Sequence, residues 1–189
     1  MSLQIAYKVF DICNTGLKKF VRTKHLINLG GVGRDDLLFT KTEIEDFLDN
    51  NNVVIEEKID GEIIIQNRSH FITPSYHPQF ALIGDWLNTN QLDIRNIIKD
   101  NNWIMYGEWL YAKHSLNYID LPDYFVLFDI YDRDLDKFLS RQVVEILIKD
   151  TNINIINKVA EGQFKYSEMN KLENFAYSQS KYYDGAVEG

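Results

Sequence analysis

Glu56-Glu57-Lys58-Ile59-Asp60-Gly61-Glu62 stands where two runs rich in β-branched residues meet, Val53 to Ile59 and Glu62 to Gln66. Such runs favour extended backbone, so the stretch reads as strand, short junction, strand. A lysine at the end of a strand, between carboxylates and next to a glycine, is an unusual residue to place near a core. Lysine is a nucleophile only when neutral, which requires desolvation or a neighbouring cation, and a metal carrying a nucleotide could supply the latter. Gly61 lets the backbone approach a phosphate closely. By itself the pattern is also that of a solvated hairpin corner.

Outward from this junction, the chain reads as a mixture of strands and helices. A strand is expected near Ile5 to Ile12, followed by a glycine-bearing loop at Asn28 to Arg34 that lacks the Lys-Ser/Thr of a Walker A motif. Thr40 and Glu43 form a capping-box signature, opening a helix to about Leu48 with Ile44, Phe47 and Leu48 on one face. Beyond the junction a short strand is expected at His70 to Thr73, then helices at His77 to Asn88 and Asp93 to Lys99. Strands follow at Trp103 to Tyr111 and Tyr124 to Tyr131, a helix at Leu139 to Lys149, a helix at Ser167 to Ser178, and a strand starting at Ala186. Strands grouped in this way, without regular strand-helix alternation, predict an α+β fold with antiparallel sheets flanked by helices.

The 189 residues, 45% of them hydrophobic, are expected to form one domain. Three prolines and ten glycines beside 13% aromatic residues argue for a packed globular chain. No apolar run approaches the roughly 18 residues of a membrane span. The single cysteine, Cys13, excludes an internal disulfide and a Cys-based metal cluster, and a cytoplasmic protein is expected. His25, His70, His77 and His114 show no zinc-like spacing. The net charge of -8 means that any nucleic acid must be bound through a local basic surface, a bound metal or another domain.

The order of further segments adds to the junction. Lys58 to Gly61 resembles motif I, Lys-x-Asp-Gly, of the covalent nucleotidyltransferase superfamily of DNA ligases, RNA ligases and mRNA capping enzymes. Gln66-Asn67-Arg68-Ser69-His70 is similar to the arginine-bearing segment that follows it. Tyr106-Gly107-Glu108-Trp109 resembles motif III, Phe125-Val126-Leu127-Phe128-Asp129 motif IIIa, and Val187-Glu188-Gly189 the opening of motif IV. Gly107 to Ser115 and His77-Pro78-Gln79-Phe80 are most similar to an RNA ligase branch related to RNA ligase 2. Asp184-Gly185 is the weaker candidate for motif IV.

The resemblance implies an ATP-grasp-like nucleotidyltransferase core over residues 1–189, truncated at its C-terminal end, with the lysine-bearing motif V falling after Gly189. It implies an ATP-dependent RNA ligase: Lys58 attacks ATP, AMP passes to an RNA 5′-phosphate, and a 3′-hydroxyl displaces AMP. Arg68 would hold phosphate through its planar fork of donors, Phe128 would stack on adenine, and Glu57, Asp60 and Gly61 would complete the nucleotide site. Glu108 would face the ribose or a metal-bound water, and Glu188 would help hold Mg²⁺ or Mn²⁺. A DNA ligase, a capping-type guanylyltransferase and a catalytically silent nucleotide- or RNA-binding module are the alternatives. The sequence leaves open the RNA structure sealed, an end-healing partner and the oligomeric state.

Overall fold

The computed structural model describes residues 3–6, 20, 23–28, 37–59, 63–67, 78–98, 103–111 and 117–187. The chain divides into two compact units: residues 1–19 with 59–156, and residues 20–58 with 157–189. The chain therefore passes from one unit to the other at Lys58–Ile59 and back at Ile156–Asn157.

The larger unit is built on one sheet. Its strands are β1 (Leu3–Ala6), β3 (Ile63–Asn67), β4 (Trp103–Trp109), β5 (Phe125–Asp132), β6 (Lys137–Phe138) and β7 (Asn154–Ile155). They run in the order β1-β3-β4-β5-β6 with antiparallel pairing, and β7 lies parallel alongside β5. Two helices, α2 (Pro78–Ile98) and α3 (Arg141–Ile148), pack their apolar stripes on it. Ile94, Ile97 and Ile98 of α2 and Val144 and Ile148 of α3 meet Met105, Phe125, Leu127 and Ile130 in the core. Each is almost fully removed from water, a contribution of about 1.5–3 kcal/mol per large side chain.

Two helices were expected where α2 runs unbroken through 21 residues. The polar Asn88-Thr89-Asn90 insert does not stop it, because its side chains bond within the helix. Thr89 Oγ1 donates to the Asp85 carbonyl at 3.0 Å, and Asn90 Nδ2 donates to the Trp86 carbonyl at 2.9 Å. These local bonds keep polar groups satisfied where a core-facing position, Asn90, is only 5% exposed.

In the smaller unit β2 (Val53–Glu56) pairs antiparallel with β8 (Lys158–Gly162). The helices α1 (Lys41–Asn50) and α4 (Met169–Phe175), the latter entered through a 3₁₀ turn at Tyr166–Glu168, cover Val53 and Ile55 with Ile44, Leu48 and Leu172. Phe47, expected on the same face as Ile44 and Leu48, is 40% exposed and stacks on Phe39 instead. In α3, Val143 and Ile146 are exposed while Val144 and Ile148 are buried. β2 and β3 belong to different sheets, so the Lys58 junction is not a hairpin corner. The strand expected at Ala186 is reduced to a single antiparallel bridge between Ala186 and Gln179. The expected strand at His70 to Thr73 lies outside the described residues. No helix among the described residues is long and apolar enough to cross a membrane.

The capping box forms as the sequence predicts. Thr40 N–H donates to Glu43 Oε2 at 2.8 Å, and Glu43 N–H donates to Thr40 Oγ1 at 3.3 Å. Lys24 adds a charged bond to Glu43. Together, the Lys24 bond first and the Thr40 bonds next, they lower the Glu43 carboxyl from 4.5 to about 2. A carboxyl lowered in the folded state stabilises it fully above its unfolded value and loses that effect as the pH falls through the folded one. Glu43→Gln is expected to lower the urea midpoint near neutrality, with the gap to wild type closing between pH 4.5 and about 2. A gap independent of pH across that window refutes the assignment.

Candidate active site

In the larger unit, the pairing of β4 with β5 sets which side chains share a face. Tyr106 lies opposite Asp129, but Gly107 lies opposite Leu127, so Phe128 is the extra residue of a β-bulge. Glu108 is opposite Val126, and directly opposed residues point to the same side. Met105, Trp109, Phe125 and Leu127 go to the helix-covered core. Tyr106, Glu108 and Phe128 take the other face, where the Tyr106 and Phe128 rings stack with centroids 6.4 Å apart. The structure thus brings together two of the expected site residues, Glu108 and Phe128, each half-buried. A half-buried aromatic ring beside a carboxylate can present a stacking surface and an acceptor to one ligand.

Gly107 makes that pairing possible in a way motif reading does not show. A Cβ at residue 107 would lie 2.4 Å from the Phe125 ring and 2.7 Å from the Val126 carbonyl oxygen. Only glycine fits at this position against the Phe125 ring and the β5 backbone. Trp109 itself joins an aromatic group with Trp86 and Tyr124, and Trp86 Nε1 donates to Asp123 Oδ2 at 2.5 Å. This bond tethers the approach to β5 onto α2.

In the smaller unit, β2 ends at Glu56 after a register shift against β8, where Ile55 faces Ala160 and Glu56 faces Lys158. Past the end of β2, burial alternates. Glu57 is 2% exposed, Lys58 is exposed, and Ile59 is 3% exposed. Buried neighbours on either side hold the lysine outward. The Glu57 carboxylate points into the smaller unit, accepting from Ser180 Oγ, from Lys181 N–H at 3.2 Å and from Asn157 Nδ2 at 3.4 Å. Nothing in the sequence linked Ser180 or Asn157 to the junction.

Asp60, Gly61, Arg68 and Glu188 lie outside the described residues. Asp184, the weaker motif IV candidate, is exposed in the segment after Ser180. No group of three or more His, Cys, Asp or Glu side chains gathers as a metal cage among the described residues. Glu108 offers one carboxylate, a donor set that suits Mg²⁺ or Mn²⁺ arriving with nucleotide phosphates and water.

The fold has solved relatives. A lysine-to-alanine mutant of Naegleria gruberi RNA ligase with ATP and Mn superposes with a TM-score of 0.57 at 16% identity, over 76% of this chain and 47% of that one. The same ligase with PPi gives 0.57 at 17% identity, over 78% and 47%. A second lysine-to-alanine mutant with ATP and Mn gives 0.52 at 15% identity, over 76% and 46%. The chain therefore spans about half the length of the ligase structures it matches. No curated protein matches the sequence. These likenesses define the class by fold, one shared with solved RNA ligase structures. The profile of the RNA ligase family matches residues 51–189, and the chain belongs to that family.

Gly107→Ala is expected to destabilise the protein by about 1–3 kcal/mol, since neither the Phe125 ring nor the β5 backbone can withdraw without breaking the pairing. Urea unfolding of the variant against wild type measures this, and an unchanged midpoint would contradict the close packing.

Proposed function

We propose that this chain forms the adenylyltransferase core of an ATP-dependent RNA ligase. The observation that carries the reading is Lys58, exposed at the end of β2 between two buried neighbours, in the position that the family's motif assigns to the nucleophile. Glu108 and Phe128, on one face of neighbouring strands, support it with an acceptor and a stacking ring. Membership of the RNA ligase family supports the substrate class, and the Naegleria structures with ATP and Mn support the nucleotide and a divalent ion.

In the proposed reaction the neutral Lys58 Nζ attacks the α-phosphorus of ATP. A phosphorus–nitrogen bond forms, the bond to the leaving oxygen breaks, pyrophosphate departs, and the amine proton passes to solvent. The 5′-phosphate of an RNA end then displaces the lysine, giving a 5′-5′ pyrophosphate. A 3′-hydroxyl finally attacks that 5′-phosphate, forming the phosphodiester and releasing AMP. Phe128 would hold the base and Glu108 the ribose or a metal-bound water, with Arg68 and Glu188 completing the phosphate and metal contacts. A bound Mg²⁺ or Mn²⁺ would offset phosphate charge. Much of the rate gain then comes from placing the amine in line with the scissile bond.

Incubation of the full-length protein with ATP and Mg²⁺ or Mn²⁺ is expected to add one AMP to its intact mass, and Lys58→Ala is expected to abolish the adduct. An unmodified wild-type mass would overturn the proposal, and ATP binding without transfer would point to a silent binding module. Adduct formation with GTP alone would point to a capping-type enzyme. Sealing of a DNA nick in preference to an RNA nick would point to a DNA ligase.

A further inference from the structure

Glu57, the buried carboxylate that directly precedes the proposed nucleophile, draws its surroundings from the far end of the chain. Ser180 Oγ donates to Oε1, while Lys181 N–H and Asn157 Nδ2 reach Oε2. Glu57 N–H donates to the Asn157 carbonyl at 3.0 Å. Ser180, 7% exposed, is fixed in turn: its Oγ accepts from Tyr182 N–H at 3.0 Å and from Tyr183 N–H at 3.3 Å. Asn157 N–H donates to the hydroxyl of Tyr182, which is 1% exposed.

A carboxylate so enclosed is costly unless every oxygen is bonded, and here both are. The donors come from residues that bracket the smaller unit's second segment, so their arrangement fixes residue 57 in three dimensions. Residue 58 follows directly, and it is exposed. The segment holding Glu57 also leads into Val187, tied back by its N–H to the Ser178 carbonyl at 3.0 Å, and so to the family's motif IV.

We propose that Ser180 and Asn157 are positioning residues for Lys58, acting through the buried Glu57 carboxylate, which serves as a strap inside the protein and leaves nucleotide binding to other groups. The inference rests on the proposed lysyl-AMP chemistry. A strap of this kind alters the placement of the amine and leaves ATP affinity untouched. A misplacement of about 1 Å costs on the order of 100-fold in rate, so loss of one donor is expected to slow adduct formation by about tenfold or more.

The test is single-turnover AMP transfer to the full-length protein over a range of ATP concentrations, for wild type, Ser180→Ala, Ser180→Thr and Asn157→Ala. Ser180→Ala is expected to lower the maximal rate with an unchanged half-saturating ATP concentration, and Ser180→Thr, which keeps the hydroxyl, to restore most of it. Asn157→Ala, which removes the longest of the three bonds, is expected to show a smaller loss in the same parameter. Should Ser180→Ala fail to fold, Asn157→Ala decides: a lowered maximal rate at constant half-saturation supports the strap. A folded variant with the wild-type maximal rate overturns it. So does a loss confined to ATP affinity, which would make Glu57 a nucleotide contact. Wild-type protein that forms no adduct would remove the proposed function itself, a different failure from an adduct indifferent to residues 157 and 180.

Discussion

The bulged ladder between β4 and β5 is the constraint on which the larger unit depends. Seven residues of β4 pair along β5, and the single extra residue, Phe128, changes the phase of everything after it. Without that insertion, strict alternation would put Ile130 on the side opposite Phe125 and Leu127. With it, Ile130 enters the helix-covered core while Phe128 stays beside Tyr106 on the other face. At Gly107, beside the bulge, β4 packs so closely on Phe125 and the β5 backbone that no Cβ fits. Packing and side-chain placement are therefore one problem here: the residue that disturbs the ladder is the one that stacks on Tyr106 away from the core.

The smaller unit solves a different problem. It must hold one polar side chain inside and the next one out, on consecutive residues just past the end of β2. Alternation alone does this for a sheet face, but β2 has ended by Glu57, so no sheet neighbour supplies the bonds. The segment around Ser180 and Asn157 replaces that neighbour with side-chain and backbone donors. Electrostatic satisfaction thus takes over from strand pairing where the strand stops.

What the sequence could show divides along the same line. Thr40 and Glu43 are three residues apart and their bonding is local, so the start of α1 was legible. The strands at β2, β3, β4 and β5 were legible from their β-branched and aromatic runs. Their partners were not: the two runs flanking Lys58 look like a hairpin, yet they join different sheets. β8 escaped notice because Lys158-Val159-Ala160-Glu161-Gly162 has too little β-branched or alternating character to announce itself. The break expected in α2 failed because propensity counts Thr89 and Asn90 as interruptions, while their i−4 bonds absorb them. At the site, the roles given to Glu108 and Phe128 came from motif resemblance, and the bulge that puts them on one face was invisible. Ser180 and Glu57 meet across 123 positions of sequence, a distance at which no local pattern operates.

The two passages of the chain between units, at Lys58–Ile59 and Ile156–Asn157, also order events during synthesis. β2 leaves the ribosome about a hundred residues before β8, and Glu57 before any of its donors. The larger unit, continuous from Ile59 to Ile156 apart from its N-terminal strand, can collapse in that interval, as domains made vectorially do. Until residues 157–181 emerge, the segment bearing Lys58 is an unpaired edge with a hydrated acid beside it. The nascent protein thus carries an exposed strand, and Lys58 is set in place only after the donors to Glu57 have been made.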